Sequence, residues 1–283
     1  MKDKLLKGLL LIAAISIIPL SAGIIYSLTS ESWDIWTQYH VGNFLTGTTW
    51  DASTDTYGAW PFIVGTLMTS FIALLICIPF SLSVALFTGE YFKGRKVAKW
   101  LSTIIDLLAG IPSIVYGLWG FYAVRPLLIS LGVSAQGFGV LLASLVLAIM
   151  IIPYASSLSA EFLSMVPRDL KEAAYGMGAT QWGVIRRVSF PVAGSGIFAA
   201  FILALGRALG ETMAVTMLIG NTTNIPTHLG DTGNSMASII ANQFGEAQGL
   251  KLDALYAIGL VLFLLTMVIN IIAKSVIKRL HSR

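Results

Sequence analysis

The stretch Glu172-Ala-Ala-Tyr-Gly-Met-Gly178, with Phe190-Pro191 beginning twelve residues after it, decides the fold of this chain. It belongs to a short charged segment between two long apolar ones. Residues 168–177 are predicted to form one short helix, and a second short helix is predicted before Phe190. A pair of short helices between two apolar spans is expected to lie outside the membrane, where it exposes a binding surface for a soluble partner.

Four residues define the turns of this segment. Pro167 is expected to end the preceding helix, because its ring clashes with the helical turn before it. Gly178 suits the left-handed residue that closes a helix, and Thr180 suits the N-cap of the next one. Pro191 can occupy the first turn of the following apolar helix, where no backbone N–H is needed. An ordinary amphipathic hairpin is the alternative interpretation.

The segment resembles the EAA loop of binding-protein-dependent ABC importer permeases, whose pattern is E-A-A, three residues, G, nine residues and I-x-L-P. The matching residues are Glu172, Ala173, Ala174, Gly178 and Pro191, while Val188 and Phe190 replace the Ile and the Leu. The resemblance implies that the first four of these form the surface by which a soluble ATPase is coupled to the chain. The coupling loop then lies at about residues 165–191.

Composition indicates a membrane protein. Hydrophobic residues make up 56% of the chain, charged residues 11%, and the mean hydropathy is +0.81. Each span needs about 20 apolar residues, so about six transmembrane helices fit in an all-α membrane protein. We predict spans near Lys7–Leu28, Pro61–Gly89, Leu101–Val124, Phe138–Leu163, Val192–Ile219 and Leu252–Ile272. Residues 1–60 then form one helix and an outer loop, and residues 61–283 form a five-helix core.

The basic residues predict the orientation. Of the 18 Lys and Arg residues, 15 fall in residues 2–7, 93–99, 168–187 and 274–283, which the predicted spans place on one side. Because basic loops stay in the cytoplasm, both termini and the EAA-like loop are expected there. The net charge of +4 thus reflects topology and not nucleic-acid binding. A signal peptide is the alternative for residues 9–20, but the apolar run continues to about Leu28, which favours an uncleaved helix.

Residues 29–60 are predicted to form the longest outer loop, which contains no Lys or Arg. Its aromatic side chains are expected at the membrane–water interface, where amphipathic rings are favoured. These residues are Trp33, Trp36, Trp50, Tyr57 and Trp60. Stacking of the rings on a carbohydrate or another ligand is the alternative. A second outer loop, residues 221–251, contains a helical pattern over residues 235–244.

Two charges in the fifth predicted span give the main chemical signal. Arg207 and Glu211 are four residues apart, so on a continuous helix they share a face and can pair. A charge in the membrane core costs at least about 2.5 kcal/mol, which favours a functional role. Arg207 offers a planar fork of donors for a tetrahedral oxyanion. Glu211 can hold Arg207 in the empty site or accept a hydrogen bond from a protonated substrate. A buried pair that only joins two helices is the alternative.

Other kinds of site have no motif in the sequence. There is no G-x-x-x-x-G-K-[ST] motif, so any ATP and Mg²⁺ are expected on a partner chain and this chain is expected to bind no cofactor. There is no H-E-x-x-H motif, nucleophile elbow or Cys/His cluster, so neither a metal site nor an enzyme is predicted. Pro79, Pro112 and Pro153 fall inside predicted spans, where they kink helices for packing or open a pathway.

Three stretches resemble the C-type permease subunits of Pst phosphate importers. They are Leu205–Asn221 in the fifth predicted span, Leu108–Gly120 in the third and Gly65–Ser70 in the second. The resemblance extends from about Pro61 to the C-terminus. Permeases for other oxyanions, including sulfate and molybdate, share the element from Arg207 to Glu211, whereas residues 213–221 favour phosphate.

This resemblance implies a type I ABC importer permease fold with a cytoplasmic coupling helix, in the bacterial inner membrane. It implies a complex with a homologous A-type permease, two ATP-binding subunits and an external phosphate-binding protein, in which phosphate crosses the membrane at Arg207 and Glu211. A sulfate or molybdate permease is the alternative of the same class. An ion-coupled secondary transporter, with Arg207 and Glu211 as a relay, and a membrane scaffold are alternatives of other classes.

Overall fold

The computed structural model describes residues 2–281. The first half contains α1 (Lys2–Glu31), α2 (Trp33–Tyr39), α3 (Val41–Thr46), β1 (Trp50–Asp51), β2 (Thr56–Tyr57), α4 (Trp60–Leu86), α5 (Lys96–Ala109), α6 (Ser113–Trp119) and α7 (Arg125–Ser130). The second half contains α8 (Val140–Ser164), α9 (Arg168–Gly176), α10 (Gln181–Val184), α11 (Phe190–Leu209), α12 (Met213–Leu218), α13 (Met236–Gln243) and α14 (Leu250–His281). Turns of π-helix at Phe87–Tyr91, Gly120–Val124 and Ile185–Ser189 extend α4, join α6 to α7 and lead into α11.

Five stretches among the described residues are helical, long and apolar enough to cross a membrane. They are Ala13–Glu31, Trp60–Tyr91, Val140–Ser164, Gln181–Leu209 and Leu250–Lys278. The bent pair formed by α5 and residues 113–130 gives a sixth if it counts as one span. The predicted all-α membrane protein with about six spans is therefore confirmed, and the two strands form a single short hairpin.

The third predicted span is broken. A single helix over Leu101–Val124 is wrong, because α5 ends at Ala109, α6 begins at Ser113, and the chain bends by 95° between them. Pro112 explains the break, since it has no N–H for the helical ladder and disfavours a helical conformation at the residue before it.

The fifth predicted span is broken as well. The helix predicted over Val192–Ile219 ends at Leu209, and the chain resumes as α12 at Met213. Gly210 weakens the helix at this point, and the polar side chains that follow can bond to the first turn of a new helix. Within an apolar segment, such non-helical backbone is tolerated only beside other protein or a water-filled cavity. The break therefore marks a place that lipid alone does not surround.

The centre of the bundle is the pair of α4 and α8, which run parallel: Ser81 contacts Ile152, and Gly89 lies against Ala160. Small buried residues of α4, among them Ala73, Cys77 and Ala85, let the two backbones approach each other. A Cβ at Gly89 would lie 2.9 Å from the carbonyl oxygen of Ala160, so glycine is required at this crossing. Because α5, α6, α11 and α12 all pack against α8, both helix breaks lie beside this central pair.

The segment of residues 29–60 folds over α13 and α14. In its hairpin Trp50 pairs with Tyr57, and both rings join a buried cluster with residues of α4, α13 and α14. The Trp50 Nε1–H donates to Gln243 Oε1 of α13 at 3.1 Å. The helix predicted over residues 235–244 is α13, and the Ser235 hydroxyl caps it by accepting from the Ser238 N–H. We call residues 29–60 and 221–251 together the acidic end.

The aromatic residues of this segment have two different environments. The interface position predicted for Trp50 and Tyr57 is wrong, because the hairpin turns both rings inward and leaves only 8% and 3% of them exposed. Burial beside Asp55 raises the pKa of Tyr57 to about 12. Trp33 and Trp60 are 61% and 42% exposed, so the predicted interface role stays a prediction for them.

Candidate translocation site and coupling segment

The helices that follow the two breaks pack against each other. α6 follows the first break, α12 follows the second, and the two are in direct contact. A Cβ at Gly117 would lie 2.8 Å from Met217 Sδ and 3.2 Å from Ala214 Cα, so a larger residue at this position does not fit without a shift. The contact brings the two interrupted spans together at the level of their breaks.

Tyr154 of α8 contacts both breaks. Its hydroxyl donates to the carbonyl oxygen of Ala109, the last residue of α5, at 3.2 Å. Its ring centroid lies 4.2 Å from the guanidinium carbon of Arg207, within the range of a cation–π contact. The Tyr116 hydroxyl donates to the carbonyl oxygen of Leu108 at 2.8 Å, which satisfies a second carbonyl at the end of α5. One side chain of the central helix thus joins the ends of α5 and α11.

Arg207 and Glu211 occupy different parts of the second break. Arg207 lies in the last turn of α11 and is exposed in this chain. Glu211 lies between the helices, and its Oε1 accepts a hydrogen bond from the Ala214 N–H in the first turn of α12 at 3.3 Å. The shared helix face predicted from their spacing is wrong, because α11 ends at Leu209, between the two residues. Within residues 2–281 they form no ion pair with each other.

Tyr154 and Tyr116 were not among the residues predicted from the sequence. A tyrosine inside an apolar span carries a hydroxyl that needs a partner, and Tyr154 directly follows Pro153, so this combination was an available signal. The contact between Tyr154 and Arg207 could not be predicted from residue spacing, because the two residues lie on different helices. In the structure it is Tyr154, and not Glu211, that contacts the Arg207 guanidinium.

The EAA-like segment has the predicted local structure. α9 begins directly after Pro167, and Gly178 has a φ of +83°, the left-handed conformation that closes the helix. Thr180 caps α10, since its Oγ1 accepts from the Gly183 N–H at 3.2 Å. Pro191 occupies the first turn of α11.

The surface of this segment is partly apolar. Glu172, Ala173 and Gly178 are exposed, but Ala174 is buried against the rest of the chain, so its predicted place on the surface is wrong. It lies on the inner side of α9, where its carbonyl accepts from the Ala179 N–H at 3.1 Å. Four large apolar side chains around these residues, which we call the coupling face, are 47–84% exposed: Leu170, Tyr175, Met177 and Trp182. Such a patch is typical of a protein-binding surface.

An ion pair that the sequence analysis did not predict joins α9 to the end of α4. Lys171 Nζ donates to Glu90 Oε1, and the two side chains are only 15% and 10% exposed. The neighbouring Lys93 ammonium donates to the carbonyl oxygen of Ser164 at 2.9 Å. Burial, and then repulsion from Lys171, lowers the pKa of Lys93. The coupling segment is therefore fastened to the end of α4 by the ion pair between Lys171 and Glu90.

No group of His, Cys, Asp or Glu side chains among residues 2–281 has the arrangement needed to hold a metal ion. Asp106 and Glu161 are exposed side chains of α5 and α8. The candidate site consists of Arg207, Glu211 and Tyr154, whose ring contacts the Arg207 guanidinium.

Residues 78–283 match the sequence model of the family described as "Binding-protein-dependent transport system inner membrane component". The chain is 40% identical to the phosphate transport system permease protein PstC of Mesorhizobium japonicum, over 96% of this chain and 88% of that protein. It is 40% identical to PstC of Haemophilus influenzae, over 99% of this chain and 94% of that protein.

Solved transporters share the fold at low sequence identity. A chain of a bacterial alginate ABC transporter, solved with a pentasaccharide-bound periplasmic protein, matches with a TM-score of 0.68 and 20% identity over 98% of this chain and 95% of its own. A chain of the inward-facing MetNI methionine transporter matches with a TM-score of 0.59 and 18% identity over 79% of this chain and 94% of its own. The chain thus belongs to the family of binding-protein-dependent transport system inner membrane components, as a multi-pass permease subunit of the ABC importer type.

Proposed function

We propose that this chain is a permease subunit that moves inorganic phosphate into the bacterial cell, driven by ATP hydrolysis on a partner. The proposal rests on the position of Arg207. This exposed residue lies within an apolar span, next to a helix break, and the helix after that break packs against the helix after the other break. The 40% identity to proteins named as phosphate permeases supports phosphate as the anion.

Arg207 has the chemistry that an oxyanion requires. Its planar fork of N–H donors can bind two oxygens of a tetrahedral anion at once, which a Lys ammonium cannot do with the same geometry. A cation in an apolar span is costly unless it faces protein, water or a substrate path, so its exposure in the isolated chain indicates a surface that the complex encloses.

Glu211 supplies discrimination between anions. Near neutral pH phosphate carries hydroxyl groups that can donate to a carboxylate, whereas sulfate presents only acceptors. One oxygen of Glu211 accepts from the first turn of α12, which orients the carboxylate beside the break. An ionised Glu211 repels both anions, but only phosphate offsets this repulsion by donating a hydrogen bond to the carboxylate, so phosphate is preferred over sulfate.

Three surfaces of the chain are each assigned a partner. The coupling face, with Glu172, Ala173 and Gly178, binds one of two ATP-binding subunits, which hold ATP and Mg²⁺. The acidic end receives an external phosphate-binding protein. A homologous A-type permease covers the exposed face around Arg207. The chain lies in the bacterial cytoplasmic membrane with both termini inside, a topology supported by the distribution of basic residues.

The test is phosphate uptake by proteoliposomes that contain the complete complex and its binding protein. Arg207→Lys keeps the charge but loses the fork, and is expected to lower uptake at least about tenfold while the complex still assembles. Arg95→Lys, at an exposed position before α5 and outside the EAA-like segment, is the matched control and is expected to keep wild-type uptake. Wild-type uptake by Arg207→Lys would contradict the proposed site.

The same assay examines the choice of anion. Glu211→Gln removes the negative charge and is expected to reduce the preference for phosphate over sulfate, measured with a binding protein that delivers either anion. Faster transport of sulfate or molybdate than of phosphate by the wild type would replace phosphate as the substrate. Uptake that continues without ATP hydrolysis would favour the ion-coupled alternative.

A further inference from the structure

We propose that Tyr154 is a positioning residue that holds the Arg207 guanidinium through its ring, so that the N–H donors of Arg207 stay available for the anion. The inference deepens the proposed function and rests on it. Tyr154 lies on α8, a different helix from Arg207.

The position of the ring makes it a fixed support. Tyr154 lies between Pro153 and Ala155, which are both buried residues of α8, so its backbone is held by the packing of α4 against α8. Its hydroxyl is bound to the carbonyl oxygen of Ala109 at 3.2 Å, which restrains the far end of the side chain. The packed backbone fixes the position of the ring, which can therefore hold a flexible arginine in one place, and the hydroxyl bond is a secondary restraint.

The kind of contact matters for transport. A guanidinium that stacks on an aromatic ring, as the 4.2 Å distance from Arg207 to the Tyr154 ring allows, uses none of its five N–H donors, which point outward in the plane of the group. A carboxylate in the same place would occupy those donors and compete with the anion. An aromatic holder therefore fixes Arg207 without blocking the groups that an oxyanion binds.

The contact also joins the site to the helix that bends. The hydroxyl of Tyr154 donates a hydrogen bond to the last residue of α5, just before the 95° bend, while its ring contacts Arg207 at the end of α11. The Tyr116 hydroxyl donates to the carbonyl oxygen of Leu108, one residue earlier in α5, but its ring does not form the cation–π contact with Arg207. Tyr116 therefore serves as a comparison for the loss of such a hydroxyl bond alone. The ring of Tyr154 and its hydroxyl can thus be tested separately.

The experiment measures phosphate transported per ATP hydrolysed by the complete reconstituted complex. Tyr154→Leu removes the ring and is expected to lower this ratio about five- to thirty-fold, the equilibrium factor of a cation–π contact. Tyr154→Phe keeps the ring and is expected to stay within about twofold of the wild type. Tyr116→Phe is the matched control for a lost hydroxyl–carbonyl bond. A wild-type ratio in Tyr154→Leu, or an equal loss in Tyr154→Phe, would overturn the proposal.

A second measurement avoids any dependence on the assembly of Tyr154→Leu. Phenylalanine analogues with one, two and three ring fluorines at position 154 keep nearly the same volume while they weaken the negative ring face stepwise. The ratio is expected to fall stepwise with fluorination, whereas a ring that only fills space gives a flat series and overturns the proposal. Arg207→Lys in parallel separates the two ideas: if it abolishes uptake while the series is flat, only the role of Tyr154 fails.

Discussion

At the scale of single residues, two glycines of the EAA-like segment differ in their backbone conformation. Gly176 ends α9 with an ordinary helical backbone, and Gly178 follows with a φ of +83°. A Cβ built on either glycine meets no heavy atom within 4 Å, so neither position is crowded. A substitution at Gly178 therefore acts through the backbone conformation alone.

Gly178→Val is expected to uncouple ATP hydrolysis from uptake. A non-glycine residue in the left-handed region costs roughly 1–2 kcal/mol, and more with a branched Cβ, so the chain is expected to leave this turn and misdirect α10. The measurement is phosphate uptake per ATP hydrolysed, with membrane insertion monitored by immunoblot. Gly176→Val is the matched control and is expected to remain coupled. Normal coupling in Gly178→Val would remove this turn from the coupling role.

At the scale of helices, the Glu90–Lys171 pair determines how the EAA-like segment is attached. The pair joins α9 to the π-helical end of α4, and α4 is the main partner of α8. Both side chains are largely withdrawn from water, so removal of one partner leaves a poorly solvated charge. A movement of α9 is therefore expected to be transmitted to the central pair of helices through this contact.

A double-mutant cycle tests this attachment. Glu90→Gln and Lys171→Gln are each expected to destabilise the complex by about 3 kcal/mol, whereas the double variant costs less than the sum because no unpaired charge remains. Thermal unfolding in detergent provides the measurement, and Lys99→Gln, at an exposed position, is the control. Strictly additive losses would show that the two charges do not act as a pair.

At the scale of the whole molecule, the acidic end has a small core of its own. Trp50, Tyr57 and Phe62 form edge-to-face ring pairs that pack on residues of α13 and α14. The chain between the first two apolar helices is therefore structured and fastened to the last one. A rigid surface at this end is suited to bind a soluble partner.

Trp50→Ala is expected to destabilise this end by about 3–5 kcal/mol, because a large buried ring is removed together with its hydrogen bond to Gln243. Trp33→Ala removes an equally large ring that is 61% exposed and is expected to change stability by less than about 0.5 kcal/mol. Limited proteolysis of residues 29–60 in the purified complex compares the two variants. Equal protection of both would contradict a core in this segment.

The orientation of the molecule is tested by thiol labelling. A cysteine placed at Thr54 is expected to react with a membrane-impermeant reagent on intact spheroplasts, and one placed at Ser282, which lies outside the described residues, is expected to react only after lysis. The native Cys77 is fully buried in α4 and provides an unreactive background. The opposite labelling pattern would invert the proposed positions of the ATPase and the binding protein.

The sequence by itself determined the features that depend on neighbouring residues. Apolar segments of about 20 residues identified the spans because the thickness of a bilayer sets that length. Gly178, Thr180 and Pro191 predicted their turns because each has a strong intrinsic backbone preference. Both helix breaks contain a residue that weakens a helix, Pro112 and Gly210, but the prediction treated the two apolar segments as continuous.

Only the tertiary structure decided which distant groups meet. Arg207 contacts Tyr154 because α11 packs on α8, and Glu90 contacts Lys171 because α9 folds back on the end of α4. Trp50 is buried because a hairpin closes over α13, nearly two hundred residues further along the chain. The pairing of such groups depends on how helices fill the space between them, and residue spacing carries no direct record of that packing.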